Sequence, residues 1–151
     1  MGMYKYLISA CLCGEYCRYD GGTFDYPHLR KLAEDGVALP YCPEHCGGLP
    51  IPRKPCEIVG DKVLAADGTD CTAEYTRGAE GALSLCKEHG ITAAILKESS
   101  PSCGSTRIYD GTHTGVKIPG MGLAARLLAE NGVTLYTEQE LPEEWQEKLC
   151  K

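Results

Sequence analysis

No apolar run in this chain approaches the roughly 20 residues that a bilayer-spanning helix needs. The longest one near the N-terminus, residues 6–12, is far shorter and has no signal-peptide organisation around it. A membrane protein is therefore not expected, and the cytoplasm is the expected compartment. Positive charge is also scarce: 15 Lys and Arg stand against 21 Asp and Glu, for a net charge of -6 with no basic run. A protein that grips nucleic acid or an anionic membrane by its charge needs the opposite balance. There is no Gly-x-Gly-x-x-Gly and no P-loop, so a nucleotide cofactor is not indicated. No internal repeat and no low-complexity linker divides the 151 residues, which are about the size of one ordinary domain, so a single domain spanning 1–151 is expected.

What the chain does have is ten cysteines. Secreted domains of this size pair them, but 43% hydrophobic residues are enough for a core without covalent staples. Free thiols or metal ligands are the better reading. No two cysteines have the Cys-x-x-Cys spacing of a zinc ribbon or a thioredoxin-type redox site, so any metal site must be assembled from distant segments. The 18 Gly and 9 Pro place much of the chain in shaped loops.

The hydrophobic periods alternate along the chain. Residues 4–10 read as a buried first strand that breaks into a loop running to about Phe24. Pro27 opens a short helix over 27–34, stopped by Gly36, and residues 37–41 make a second strand. The glycines and prolines of 42–55 read as a loop, and 57–66, with Gly60-Asp61 inside, as a hairpin. Apolar residues then recur every three or four positions over 72–89, the clearest helix. A buried strand over 91–96, a helix over 120–131 and a last strand over 133–136 follow, with a capping tail over 142–150. This alternation predicts an α/β fold: a single-domain, three-layer, open and mostly parallel sheet with helices on both faces.

In such sheets ligands gather at the carboxyl ends of the strands. Three of those ends carry a cysteine: Cys11, Cys42 and Cys103. Three converging thiolates would make a soft pocket for an iron–sulfur cluster, Zn or Cu(I). A [4Fe-4S] cluster held by three cysteines would leave one iron open to an outside ligand. Each could equally be a buried hydrophobe, the usual fate of a free cysteine. Cys13, Cys17 and Cys46 flank these positions as a possible further ligand or redox pair, more simply as bystanders. Cys86 and Cys150 read as structural, and Cys56 and Cys71 carry no recognisable role.

Glu44 follows Cys42 by two residues, with Pro43 stiffening the turn between them, which suits a general acid or base beside a metal. A solvated loop carboxylate is the alternative. Ser100 and Ser102 could donate to a substrate oxygen or close a local turn. His45 could be a ligand or simply exposed; Arg53 could grip a carboxylate or a polar ring, and Arg53 and Arg18 could equally be structural, pairing with Glu57 and Asp20. The Tyr-Asp-Gly elements at 19–21 and 109–111 are turn signals.

Ile8-Ser9-Ala10-Cys11-Leu12, Arg18-Tyr19-Asp20-Gly21, Cys42-Pro43-Glu44, Gly47-Gly48-Leu49, Pro52-Arg53, Lys97-Glu98-Ser99-Ser100-Pro101-Ser102-Cys103-Gly104 and Ile108-Tyr109-Asp110-Gly111 occur in that order. With these motifs the chain resembles the DUF523 family, which includes the thiouracil desulfidases. The resemblance implies a small α/β domain with an oxygen-sensitive [4Fe-4S] cluster on Cys11, Cys42 and Cys103, and one iron without a protein ligand. It implies a thiolated pyrimidine as small-molecule substrate, assisted by Glu44 and Ser100, with sulfur leaving as sulfide and no net redox change. Glu44 would manage the protons of the attacking water, and Ser100 would orient the heterocycle. The chain departs from the family in placing Cys13 where an aliphatic residue is usual. A carrier of iron–sulfur clusters or sulfide, and a zinc-stabilised binding module, are the competing readings. Neither a nucleic-acid nor a membrane partner is expected, and the chain is expected as a monomer or homodimer.

Overall fold

The computed structural model of the chain describes residues 4–13, 26–49 and 56–138. Strand β1 (Tyr6–Ser9) is buried at every position because it is the most enclosed strand of the fold. It pairs in parallel with β2 (Ala38–Tyr41) on one side and β5 (Ala93–Leu96) on the other. Strand β8 (Thr134–Thr137) continues the sheet beyond β5, giving the order β2-β1-β5-β8 with every pair parallel. Parallel strands covered on both faces read as continuous apolar runs, which is how the sequence shows 4–10 and 91–96. Pro40, which cannot donate to a ladder, lies on β2 at the sheet's edge.

Alternate side chains of each central strand enter different cores, as strand geometry requires. Tyr6 and Ile8 of β1 and Ile95 of β5 pack with Leu29 and Leu32 of α1 (Pro27–Glu34). Leu7, Ala94 and Leu96 pack on the opposite face with Ala82 and Cys86 of α3 (Thr72–His89) and with Ala125 and Leu128 of α4 (Leu123–Glu130). The result is the three-layer α/β arrangement that the alternation predicts. Helix α3 starts where Asp70 accepts the Thr72 N–H at 2.9 Å and its hydroxyl at 2.6 Å, and it ends at Gly90, whose φ of +67° is left-handed.

Two antiparallel hairpins stand apart from this sheet. The first, β3 (Cys56–Val59) with β4 (Lys62–Ala65), turns at Gly60-Asp61 as expected. The second, β6 (Arg107–Tyr109) with β7 (Lys117–Pro119), is not signalled by the sequence, where only its turn residues stand out. Strands of three residues are too short to display a period of two. The segment after Cys42 also differs from the expected loop: Pro43–Cys46 forms a one-turn helix, α2, started by Pro43 at the position where its missing N–H costs nothing. Residues 10–13 form a 3-10 turn rather than open loop. The tail 142–150, and Arg18 and Arg53 with the motifs around them, lie outside the described residues. Among the described residues no helix is long and apolar enough to cross a membrane.

Helix α2 packs against α3 at unusually short range, and two glycines make that possible. A Cβ on Gly78 would meet the Pro43 carbonyl oxygen at 1.9 Å, and one on Gly47 would meet the Glu74 carbonyl oxygen at 2.1 Å. Glycine in a helix interior is normally a weakness, and replacing it by alanine stabilises by about 0.5–1 kcal/mol. Here the sign reverses. Gly78→Ala is expected to destabilise by about 1–3 kcal/mol, the usual cost of forcing extra volume into a packed contact, which thermal denaturation will show as a lowered Tm.

Candidate functional site

The carboxyl ends of β1, β2 and β5 open into one cleft of about 310 Å³. Cys11 reaches it from the 3-10 turn after β1, Cys42 from the start of α2, and Cys103 from the turn after β5. Glu44, Ser100 and Ser102 line the same cleft, so the five residues that the family resemblance implies share it, while Cys13, His45 and Cys46 do not line it. The hairpins wall its outer side with Cys56 and Glu57 of β3, Tyr109 of β6 and Lys117 of β7. The cleft lies beside the boundary between β1 and β5, where the strand order reverses direction, the usual crevice in open α/β sheets.

Glu44 is held from two sides. Tyr75, on α3, donates its phenolic hydroxyl to Oε1 at 2.9 Å. On the other oxygen, Oε2, the hydroxyls of Ser100 and Ser102 donate at 3.2 and 3.0 Å. The approach of α2 onto α3 at Gly78, less than one helical turn from Tyr75, is what brings the carboxylate within reach. Glu44 is thus a tethered, half-buried group rather than a solvated loop carboxylate.

Ser100 is fully engaged. Its Oγ accepts the backbone N–H groups of Ser102 and Cys103, both at 3.1 Å, and its single hydroxyl proton is directed to Glu44. A serine hydroxyl offers one donor and two acceptor positions, and the Ser102 hydroxyl, 2.9 Å away, shares them with these three partners. Ser102 stands among three groups: its hydroxyl lies 2.9 Å from the Ser100 hydroxyl, 3.0 Å from Glu44 Oε2 and 3.7 Å from the Cys103 Sγ. Its one proton serves one of them at a time.

Cys103 is 4% exposed, and burial pushes its thiol up to about 12 against the opposing hydrogen bonds from Ser9 and Ser102. Without a positive partner it is a neutral thiol. Tyr41, whose hydroxyl donates to the Gly78 carbonyl at 3.0 Å, is likewise pushed up to about 12, mostly by burial and further by Cys46, Cys42 and Cys103. Among the described residues no three Cys, His, Asp or Glu side chains close into a cage around a single metal ion.

The turn carrying Ser100 and Cys103 is fixed at both ends. At one end Glu98, 8% exposed, accepts the Ser99, Thr106 and Arg107 N–H groups at 3.1, 3.1 and 3.0 Å and the Thr106 hydroxyl at 2.6 Å. Between them Ser99 is bent to a φ of +70°, a left-handed conformation that serine adopts only when its surroundings impose it. At the other end the first turn of α4, which has no side-chain cap, is capped by the turn's own carbonyls: Gly122, Leu123 and Ala125 donate to Gly104, Pro101 and Ser102 at 2.7, 2.9 and 3.0 Å.

The remaining cysteines divide. Cys13 is buried in the core beneath α1, 3.7 Å from the Leu29 carbonyl oxygen, and Cys86 in the core beneath α3. Cys46 is exposed on α2, and His45, also exposed, has its Nδ1 3.1 Å from the Leu49 carbonyl oxygen. Cys56 lines the cleft, hydrogen-bonds Cys71 and Tyr75, and is pushed up to about 12, chiefly by burial. Asp110 accepts the Thr112 N–H and hydroxyl, the turn role its motif suggests. Cys17 and Cys150 lie outside the described residues.

The sequence profile of the 2-thiouracil desulfurase family matches residues 6–140. The chain belongs to that family. Its members are enzymes that break carbon–sulfur bonds, and this chain is one of them. A Bacillus subtilis (strain 168) relative, described as uncharacterized protein YbbK, is 43% identical over 145 residues, which cover 89% of this chain and 96% of the relative. A solved structure described as the [4Fe-4S]-dependent thiouracil desulfidase TudS (DUF523Vcz) superimposes with a TM-score of 0.89 at 45% identity, covering 98% of this chain and 99% of that one. The family resemblance and the α/β fold read from the sequence are thereby shown.

Within this desulfurase fold Glu98 does for the Cys103 turn what no sequence signal announced. Burial alone would raise its carboxyl, but the bonds from Thr106, Arg107 and Ser99 outweigh it and hold the group below its ordinary 4.5. A carboxyl lowered on folding contributes stability above its unfolded value, and that stability is lost as pH falls through the lower folded value. Glu98→Gln, which turns an amide toward a ring of donors, should cost about 1–3 kcal/mol at neutral pH. Its melting temperature should also depend less on pH below 4.5 than that of the wild type, as thermal scans across acid pH will show.

Proposed function

We propose that this chain removes the sulfur of a thiolated pyrimidine resembling 2-thiouracil, giving the oxo base and sulfide with no net redox change, with a [4Fe-4S] cluster on Cys11, Cys42 and Cys103 and one iron without a protein ligand. One observation carries the reading. The cysteines from three separate strand ends and a doubly tethered carboxylate line one cleft, in a chain 45% identical to a [4Fe-4S]-dependent thiouracil desulfidase along nearly its whole length.

The residues present suit such a cluster. Thiols are the soft donors that iron–sulfur centres take. Cys103 must lose a proton that its buried surroundings retain, so binding is coupled to proton release. The hydroxyls of Ser9 and Ser102 stand ready to donate to its sulfur. When bound, the cluster would supply a Lewis-acidic iron toward the substrate's sulfur.

The protein's own groups do the rest. Overall a C=S bond and a water molecule become a C=O bond and hydrogen sulfide, so two protons must pass from the water oxygen to the departing sulfur. Glu44 is the group placed to accept and return them, and its tethering fixes where its oxygens stand. Ser100 acts through Glu44 and through the Cys103 turn, because a direct bond to the heterocycle would have to replace one it already makes. The hairpin residues beyond Glu44 form the outer wall against which a flat ring can lie.

Anaerobically reconstituted protein should release sulfide and the oxo base in equal amounts from 2-thiouracil. Glu44→Gln should keep the cluster's visible absorption and lose about 10²- to 10⁴-fold in turnover, the usual worth of positioned acid–base catalysis. Cys103→Ser should lose both absorption and activity, because oxygen is a poor substitute for a thiolate on this metal. A protein that holds iron and sulfide yet leaves the thiolated base intact would be a carrier instead. Zinc in place of iron would point to a binding module, and a Glu44→Gln enzyme with normal turnover would remove Glu44 from the mechanism.

A further inference from the structure

A glutamate on a one-turn helix has little that fixes it. Its terminal torsion, about the bond to the carboxyl carbon, is broad and roughly two-fold, so a carboxylate tied at one oxygen still pivots about that tie. Glu44 is tied at both, and the two ties come from different parts of the fold. Ser100 and Ser102 reach Oε2 from the Cys103 turn, while Tyr75 reaches Oε1 from α3. The turn belongs to the carboxyl end of the sheet, and α3 is the longest helix packed against it.

Tyr75 is 1% exposed, in a small core with Leu49, Cys56, Val63, Ala65 and Cys71. A phenol buried among such groups needs a partner for its hydroxyl, and the cost of leaving it without one is what makes the bond to Glu44 persistent. Cys56, which also lines the cleft, lies within hydrogen-bonding reach of the same phenol, whose one proton goes to the Glu44 carboxylate at 2.9 Å. The tyrosine is one of the periodic apolar positions of α3, and by sequence alone nothing separates it from ordinary core.

We infer that Tyr75 is a positioning residue for the reaction: through its hydroxyl on Oε1 it fixes the plane of the Glu44 carboxylate, so that the group meets the water and the departing sulfur in one orientation. The inference deepens the desulfidase reading and rests on it for its kinetic arm. Tyr75 touches no substrate in this account. Its effect therefore belongs to the chemical step and not to binding, and it is separate from the holding of iron.

The test is Tyr75→Phe, which keeps the ring and its packing and removes only the hydroxyl. In the reconstituted enzyme kcat for sulfide release should fall about 10- to 100-fold, the range expected when a hydrogen bond to a charged group is lost. KM should stay within about twofold and the iron and sulfide content should be unchanged, which a merely structural role would not give. The second readout needs no turnover. The infrared difference between wild type and Glu44→Gln isolates the Glu44 carboxylate stretch, and that band should shift in Tyr75→Phe. An unchanged kcat beside an inactive Glu44→Gln overturns the inference. So does a raised KM at normal kcat, which would make Tyr75 a substrate contact, and so does a loss of iron. If wild type itself releases no sulfide, the desulfidase reading fails and the infrared band alone decides: a band that stays in place removes the tie. Should Tyr75→Phe not fold, 3-fluorotyrosine at position 75 keeps the shape and makes the phenol a stronger donor. It must then move the band and change kcat, and leaving both untouched overturns the inference.

Discussion

The parallel pairing of β1 with β2 and β5 sets where everything else can be. Ser9 pairs with Tyr41, and Ile8 with Ile95, so the three strands finish within two residues of one another at a single edge of the sheet. Whatever follows each strand is delivered there: the 3-10 turn with Cys11, the short helix with Cys42 and Glu44, and the turn with Ser100 and Cys103. A slip of one residue in β1 would exchange Leu7 for Ile8 between the two cores and carry Ser9 away from Cys103. Burial on both faces makes such a slip costly, and the same burial that stabilises the fold therefore holds the register of the site.

The segments beyond the strand ends are held by polar contacts of a different kind. Residues 98–107 are bound inward by the Glu98 carboxylate and outward by the first turn of α4, and the cleft edge of α2 is held by backbone contact with α3 at Gly78 and Gly47. In each case a loop gains the rigidity of the helix or strand beside it. A constellation meant for chemistry needs this, because placement loose by an ångström loses most of the advantage of proximity.

Much of the site is legible in the sequence because it sits where strand periodicity stops. Cys11, Cys42 and Cys103 stand out as cysteines following apolar runs, and Glu44 as a carboxylate held to Cys42 through Pro43. The four core strands and the helices α1, α3 and α4 are long enough, or apolar enough, to show their periods. What escapes is short or disguised. Helix α2 has four residues and hairpin strands β6 and β7 three each, too few for any period to register. Tyr75 is hidden inside a helical pattern because a phenol counts as apolar in that pattern while its hydroxyl does the work. Glu98 and Ser102 lie in a motif whose residues are conspicuous together, yet their partners, Thr106, Arg107 and Glu44, are set by the turn and not by spacing.

The electrostatics of the cleft run against two of its thiols, Cys103 and Cys56. Cys103 is pushed up first by burial and then by the negative charges of Glu44 and Cys42, and Cys56 is raised by burial, by Cys71 and by Glu44. A Lys, a His or a helix N-terminus beside a thiol lowers it. Lys97 and Lys117 line this cleft and Cys42 stands at the start of α2, yet at Cys103 and Cys56 the Glu44 carboxylate acts in the opposite sense. Such an arrangement costs stability if the thiols must ionise alone, and it stops doing so once a cationic centre shares the cleft, since the centre attracts the thiolates and the carboxylate alike. The proposed cluster is such a centre. On that reading burial keeps the Cys103 sulfur protonated and unreactive until iron arrives, and the carboxylate that opposes its ionisation is the one proposed to move the protons of the reaction.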